Sequence, residues 1–260
     1  MEITLVNIEA QLLVWMMAMI RPGAAFLVAP IFGARSVPVQ IRIILALGIG
    51  VPAASMSGLA IPDAGVVSVP GVMMIVSEAL AGLALGFAVQ IGFAAAAVAG
   101  EAISNAMGLG MAAMVDPASG SSSTAIGQFL TMLATFLFLA VDGHLMLIAI
   151  ILDSYNALPP GDAWLSAGKL NGIAHFGSLI FAMGLTIALP VGFALVLVQL
   201  IMGVVARSTP TLNLFAVGIP ATLLAGVLLL AMALPIIADS LQIALQAGLE
   251  QSQALLKADQ

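Results

Sequence analysis

Cysteine is absent from all 260 residues. That excludes disulfides, zinc–thiolate centres and cysteine nucleophiles. Charge is nearly as scarce: Asp, Glu, Lys and Arg together make 7% of the chain, against about 25% in a soluble domain. A water-soluble protein of this composition would lack the polar groups to cover its surface. Lipid, or the apolar surface of a partner, must take that role. Lysine and arginine total only 6, and the formal net charge is −6. Nucleic acid is therefore excluded as a partner, because phosphates require clustered basic side chains. The two histidines, His144 and His175, form no HExxH pair, and neither a GxSxG nor a P-loop lysine is present. No metal or cofactor is implied, and enzyme chemistry has little to stand on. No basic residue precedes Arg21, so the N-terminus lacks the charged region of a signal peptide and the first apolar segment is expected to be retained.

What is abundant is apolar sequence, at 62%. Six stretches approach or exceed the roughly 20 residues a helix needs to cross the hydrocarbon core: 12–31, 39–61, 72–99, 125–152, 173–205 and 211–238. The alternating ten-residue strands of a membrane β-barrel are absent. The fold class is thus all-α, a polytopic integral membrane protein. Residues 1–260 read as one unit, since no polar stretch is long enough for a second domain. Several segments carry helix breakers: Arg21-Pro22 in the first, Pro190-Val191-Gly192 in the fifth and Gly218-Ile219-Pro220 in the sixth. Breaks are expected there, with neighbouring helices or water satisfying the freed backbone groups. Gly82 and Gly86 form a GxxxG pair that suits close helix contact. Asp239 to Gln260 reads as an amphipathic helix. Arg35, Arg42 and Arg207 fall on one side of a six-span arrangement, the cytoplasmic one, leaving both termini outside.

Charges inside apolar segments are the natural candidates for function, because each costs roughly 2.5–3.5 kcal/mol at the bilayer centre on insertion scales. They are Arg21, Glu78, Glu101 and Asp142. One reading is a proton path, as in a secondary transporter. The other is interhelical pairing that fixes assembly, such as Arg21 or Arg42 with Glu78 or Glu101, and the scatter of the charges favours it. Asp142-Gly143-His144 could act as an acid/base pair, though a polar contact within a helix explains it as well. The stretch from Ala99 to Gly120 reads AGEAISNAMGLGMAAMVDPASG. Met107, Met111 and Met114 share a face if it is helical. Gly108 and Gly110 weaken a helix, and Asp116-Pro117 forces a stop. A soft, uncharged, methionine-lined segment suits a deformable seal; an ordinary re-entrant or cytosolic loop with packed methionines fits equally.

Four stretches resemble the FliR family: Ala29 to Arg35 with Val37 to Arg42; Ala99-Gly100-Glu101 with Met107-Gly108 and Asp116-Pro117; Phe138-Leu139 with Asp142-Gly143-His144; and Pro210 to Gly218. The resemblance runs over nearly the whole chain. It implies a non-enzymatic subunit of the flagellar type III export gate in the bacterial inner membrane, within the flagellar basal body, with a close injectisome counterpart. Implied partners are FliP and FliQ, FlhB-type and FlhA-type gate proteins, membrane lipid, and unfolded flagellar export substrates moved by proton-motive force. The implied fold is a set of long, partly broken helical hairpins, the whole chain forming one export-gate domain. The implied pore plug spans about Ala106 to Ser122 and includes Met107, Gly108, Gly110, Met111, Met114, Asp116 and Pro117. Arg21, Arg35, Arg42, Glu78, Glu101 and Asp142 are the expected assembly charges. The short, weakly charged C-terminal tail departs from the family pattern and is assigned no docking site for the gate protein. Two other readings compete: a proton-coupled small-solute transporter using Glu78, Glu101 and Asp142, which would need inverted symmetry between the halves, and an intramembrane hydrolase using His144 or His175.

Overall fold

The computed structural model describes residues 5–59, 61–62, 65–109, 124–161, 165–208 and 214–257. Among them the regular structure is entirely helical: α1 (Leu5–Ala18), α2 (Ile20–Val28), α3 (Val39–Ser57), α4 (Val69–Ala106), α5 (Ala125–Ala140), α6 (Gly143–Ala157), α7 (Ala167–Ser178), α8 (Ile180–Ser208) and α9 (Leu214–Ala254). Five stretches are long and apolar enough to cross a membrane: Ile8–Val28, Val39–Ser57, Val69–Ala106, Ala167–Ser208 and Pro220–Ala254. A bent pair, α5 with α6, makes a sixth if counted as one span.

The helix ends follow local chemistry. Gly58 adopts the left-handed conformation that closes α3. Gly108 does the same after α4, with φ 82°. There the Leu109 N–H donates to the Ser104 carbonyl at 3.0 Å and the Gly108 N–H to that of Asn105 at 3.0 Å, the paired bonds of a Schellman motif. The fourth apolar segment departs from the expectation of one straight span. It bends by 66° between α5 and α6, where Asp142 takes a left-handed φ of 55°, a conformation Asp tolerates better than most residues.

The breaks expected at Pro190 and at Gly218–Pro220 are not there: α8 runs through Pro190, and α9 runs through Pro220 and Pro235. A proline removes one helical hydrogen bond, and flanking turns that cannot find water in an apolar medium keep their own. The fifth segment is interrupted instead at Leu179, between α7 and α8. The amphipathic C-terminal stretch is no separate element, since α9 continues through it to Ala254.

The chain packs as two compact units. The first comprises 1–91, 141–177 and 247–260. In it α3 packs on α1 and α2, and α6 touches α2 and α3. Met17, Ala18, Ala54, Leu59 and Met74 form one buried cluster. Near the C-terminus the Ser252 hydroxyl donates to the Leu85 carbonyl at 3.1 Å. The second unit comprises 92–140 and 178–246. Its core holds Leu130, Val191 and Leu195, all fully buried, and an edge-to-face Phe93–Phe138 pair with centroids 5.3 Å apart. Large apolar side chains on α8 and α9, among them Phe181, Leu200 and Met232, stay exposed. Such a surface requires an apolar surrounding.

Small residues set the closest approaches. In the first unit, a Cβ on Gly82 would overlap the Arg21 carbonyl oxygen, and one on Gly86 that of Ala25. The GxxxG pair thus admits α2 against α4 at backbone distance. We expect Gly82→Ala and Gly86→Ala each to lower stability by about 1–3 kcal/mol, as overpacking does. Gly192→Ala, whose Cβ would meet nothing within 4 Å, should not. Thermal denaturation in detergent checks this; equal effects at all three positions would contradict the contact.

Candidate functional site

The first unit buries a polar network centred on one arginine. Arg21 on α2 and Glu78 on α4 both have 0% exposure. The Arg21 guanidinium grips the carboxylate with two nitrogens: Nε donates to Oε2 at 2.8 Å and Nη2 to Oε1 at 2.8 Å. Nη1 donates to the Ser154 hydroxyl on α6 at 3.0 Å, and Nη2 also to the Leu158 carbonyl at 2.8 Å. Leu158 lies just past the end of α6, where carbonyls have no helical donor. The Arg21 Cζ lies 4.2 Å from the centre of the Tyr155 ring, within cation–π range.

Proline explains why Tyr155 is there. Pro22 has no N–H, so the Ala18 carbonyl four residues earlier loses its helical donor. The chain breaks between α1 and α2 at this point. The Tyr155 hydroxyl donates to that carbonyl at 2.6 Å.

A second constellation lies in the second unit, around the end of α4 and the start of α5. Glu101 Oε1 accepts from the Thr124 N–H at 2.8 Å and from its hydroxyl at 3.1 Å. The Thr124 oxygen accepts in turn from the Gly127 N–H at 3.1 Å, a threonine cap on α5. A Cβ on Gly100 would overlap Gly127, so α4 and α5 also touch at the backbone. Beyond Glu101, Gln199 Nε2 donates to the Ala106 carbonyl at 2.7 Å. Met107 is 1% exposed and packs on Gly226, where a Cβ would come within 2.6 Å of it.

The other expected site residues stand apart. Arg35 is exposed, in the turn between α2 and α3. Arg42 Nη2 donates to the Ala34 carbonyl of that turn at 2.6 Å. There Ile31 has a φ of 68°, and the Phe32 N–H reaches the Pro30 carbonyl at 2.8 Å, a strained γ-turn for a β-branched residue. Asp142 is exposed. It makes no hydrogen bond with His144, whose Nδ1 is buried without a partner. The contact expected inside a helix is therefore a helix break, in which the Asp142 carbonyl accepts from the N–H groups of Leu145 and Met146. Of the residues expected to form a plug, Met107 and Gly108 are placed as above; Gly110, Met111, Met114, Asp116 and Pro117 lie outside the described residues.

The family model described as bacterial export proteins, family 1, matches residues 12–248. Relatives named flagellar biosynthetic protein FliR include one from Escherichia coli (strain K12), 38% identical over 220 residues, covering 85% of this chain and 84% of that protein. Another, from Pectobacterium carotovorum subsp. carotovorum, is 35% identical over 209 residues, with 80% and 79% covered. A third, from Bacillus subtilis (strain 168), is 32% identical over 209 residues, with 79% and 80% covered. The chain belongs to the FliR family.

The stretches that resemble FliR signatures fall at helix ends and breaks: the α2–α3 turn, the end of α4, the α5–α6 bend and the start of α9. This has a physical reason. Apolar residues in mid-helix exchange readily, whereas an end needs a particular glycine, aspartate or proline. Arg21 and Glu78 stand out in the sequence as charges inside apolar segments, outside the FliR signatures; Ser154, Tyr155 and the Leu158 carbonyl do not stand out in that way. Tyr155 had a signal, as the sole tyrosine in the chain, placed next to a serine in an apolar helix. The backbone carbonyl had none.

We expect Arg21→Met to cost about 3–5 kcal/mol, because it strands the buried Glu78 carboxylate. Arg21→Met combined with Glu78→Met should recover most of that loss. Tyr155→Phe should cost about 1–3 kcal/mol, since the Ala18 carbonyl is left without a donor. Unfolding in detergent by heat or denaturant measures all three; additive losses in the double variant would refute the coupling.

Proposed function

We propose that this chain is a structural and gating subunit of the flagellar type III protein export channel, acting without catalysis in the bacterial inner membrane within the basal body. The observation that carries the reading is the match to flagellar FliR proteins over some four-fifths of both chains. The exposed apolar faces of α8 and α9 fit a subunit that is covered by lipid and by FliP and FliQ. FlhB-type and FlhA-type proteins complete the gate, and unfolded flagellar subunits are the cargo. Arg35, Arg42 and Asp142 are exposed or half-buried, which suits assembly contacts.

The segment from about Ala106 to Ser122 is the plug in this reading. A pore for unfolded chains must exclude ions at rest and still yield to any side chain. Flexible methionine and glycine suit that better than a charged filter, which would retain substrates. The described start of the segment supports the role: Gly108 terminates α4, and Met107 is wedged on Gly226. The segment thus has a firm base.

Two measurements test the reading. Co-expression with FliP and FliQ should yield one intact assembly containing all three chains by native mass measurement; a chain that purifies alone would refute membership. Removing Gly108 to Ala118 should make cells permeable to small ions while the complex still assembles. Unchanged membrane tightness would remove the plug and leave the subunit role standing.

A further inference from the structure

Between α4 and α5, within the second unit, lies a half-open cavity of about 370 Å³. Glu101, Gln128, Thr131 and Thr135 supply its polar lining, with Ala97 and Met132 beside them. Glu101 uses Oε1 for both bonds to Thr124. Its Oε2 makes no hydrogen bond among the described residues. The Thr131 and Thr135 hydroxyls donate to the carbonyls of Gly127 and Thr131, at 2.8 and 2.9 Å. Their oxygen lone pairs remain available, so the cavity offers acceptors around a carboxylate.

This chain does not supply the matching cation. All six Lys and Arg residues lie among the described residues; Arg21 is committed to Glu78, and none of the six is within salt-bridge distance of Glu101. The amide and hydroxyl at the start of α5 offset part of the charge. A carboxylate in a membrane-length apolar helix needs more than that on its open side. The rim shows what brings it. Met132, which lines the cavity, is exposed, as are Phe129 and Phe136 at helical spacing on the same helix, so α5 presents an apolar face next to the carboxylate that α4 supplies. An acid enclosed by an apolar rim is suited to another helix rather than to solvent.

We propose that this cavity receives a cationic side chain, best an arginine, from a membrane helix of a partner subunit, with Glu101 Oε2 as its counter-ion and Thr131 and Thr135 as further acceptors. A guanidinium carries five donors in a plane and is the cation least costly to desolvate. The inference rests on the hetero-oligomeric reading above.

The test uses the full chain co-expressed with FliP and FliQ. Glu101→Gln keeps a carbonyl oxygen for Thr124, so the isolated variant should melt like the wild type while recovery of the intact complex falls roughly tenfold or more, as truncating one side of a buried charge pair does. Thr131→Leu, which fills the cavity and leaves Glu101 in place, should produce the same loss. Glu101→Arg should abolish assembly, and suppressors selected for restored motility should replace an Arg or Lys in a partner's membrane segment with Asp, Glu or a neutral residue. If the wild type assembles and Glu101→Gln assembles equally well, the cavity takes no partner cation. If recovery of the wild-type complex instead depends on sodium or potassium concentration and Glu101→Gln abolishes that dependence, a small cation occupies the site and the proposal is wrong. If the wild-type chain binds neither FliP nor FliQ, the subunit reading has failed first.

Discussion

A guanidinium with no exposure to solvent, inside helices of membrane length, must have its donors met by fixed acceptors. Arg21 places four of its five N–H groups on two carboxylate oxygens, a hydroxyl and a backbone carbonyl. The arrangement holds only if α2, α4 and α6 meet within hydrogen-bonding distance of one point. Much of the first unit can be read as the means to that end. Gly82 and Gly86 let α4 approach the backbone of α2. Pro22 opens the break between α1 and α2, and Tyr155 closes the hydrogen-bonding gap the proline leaves. Removing one ion would leave the other buried and uncompensated, which is costlier than never having had the pair.

The same rule, that every polar group in an apolar medium must find a partner, organises the helix ends of the second unit. Gly108 ends α4 by returning two N–H groups to the last turn. Thr124 caps α5 while Glu101 holds Thr124. Gln199 reaches the Ala106 carbonyl at the point where α4 stops. The stretch bearing the FliR central signature thus begins on anchored backbone, and Thr124, where the described chain resumes, is itself held by Glu101.

The ionisable groups divide in a way that bears on mechanism. A proton-coupled transporter would need Glu78, Glu101 and Asp142 as exchangeable sites. Glu78 has both oxygens engaged by one arginine, and Asp142 is exposed at a helix bend with its backbone carbonyl capping α6. Only Glu101 retains an open oxygen facing a cavity. These environments favour charges that fix structure and contacts over charges that relay protons.

The all-helical membrane character and the family were legible in the amino-acid sequence, because both depend on composition and on short patterns of neighbouring residues. So were the GxxxG contact and the weakness of the helix at Gly108, which are local backbone demands. Other features required three dimensions. Arg21 was open to Glu78 or Glu101 in one dimension; only the packing of α4 on α2 chose Glu78, fifty-seven positions away. Pro190 and Pro220 looked like breaks and are not, since a helix in an apolar surrounding keeps the bonds that a lone proline leaves. The bend at Asp142 and the partnership of Tyr155 with Ala18 were decided by tertiary structure, because an orphaned carbonyl has no signature in sequence: it is a vacancy that only a neighbouring helix can fill.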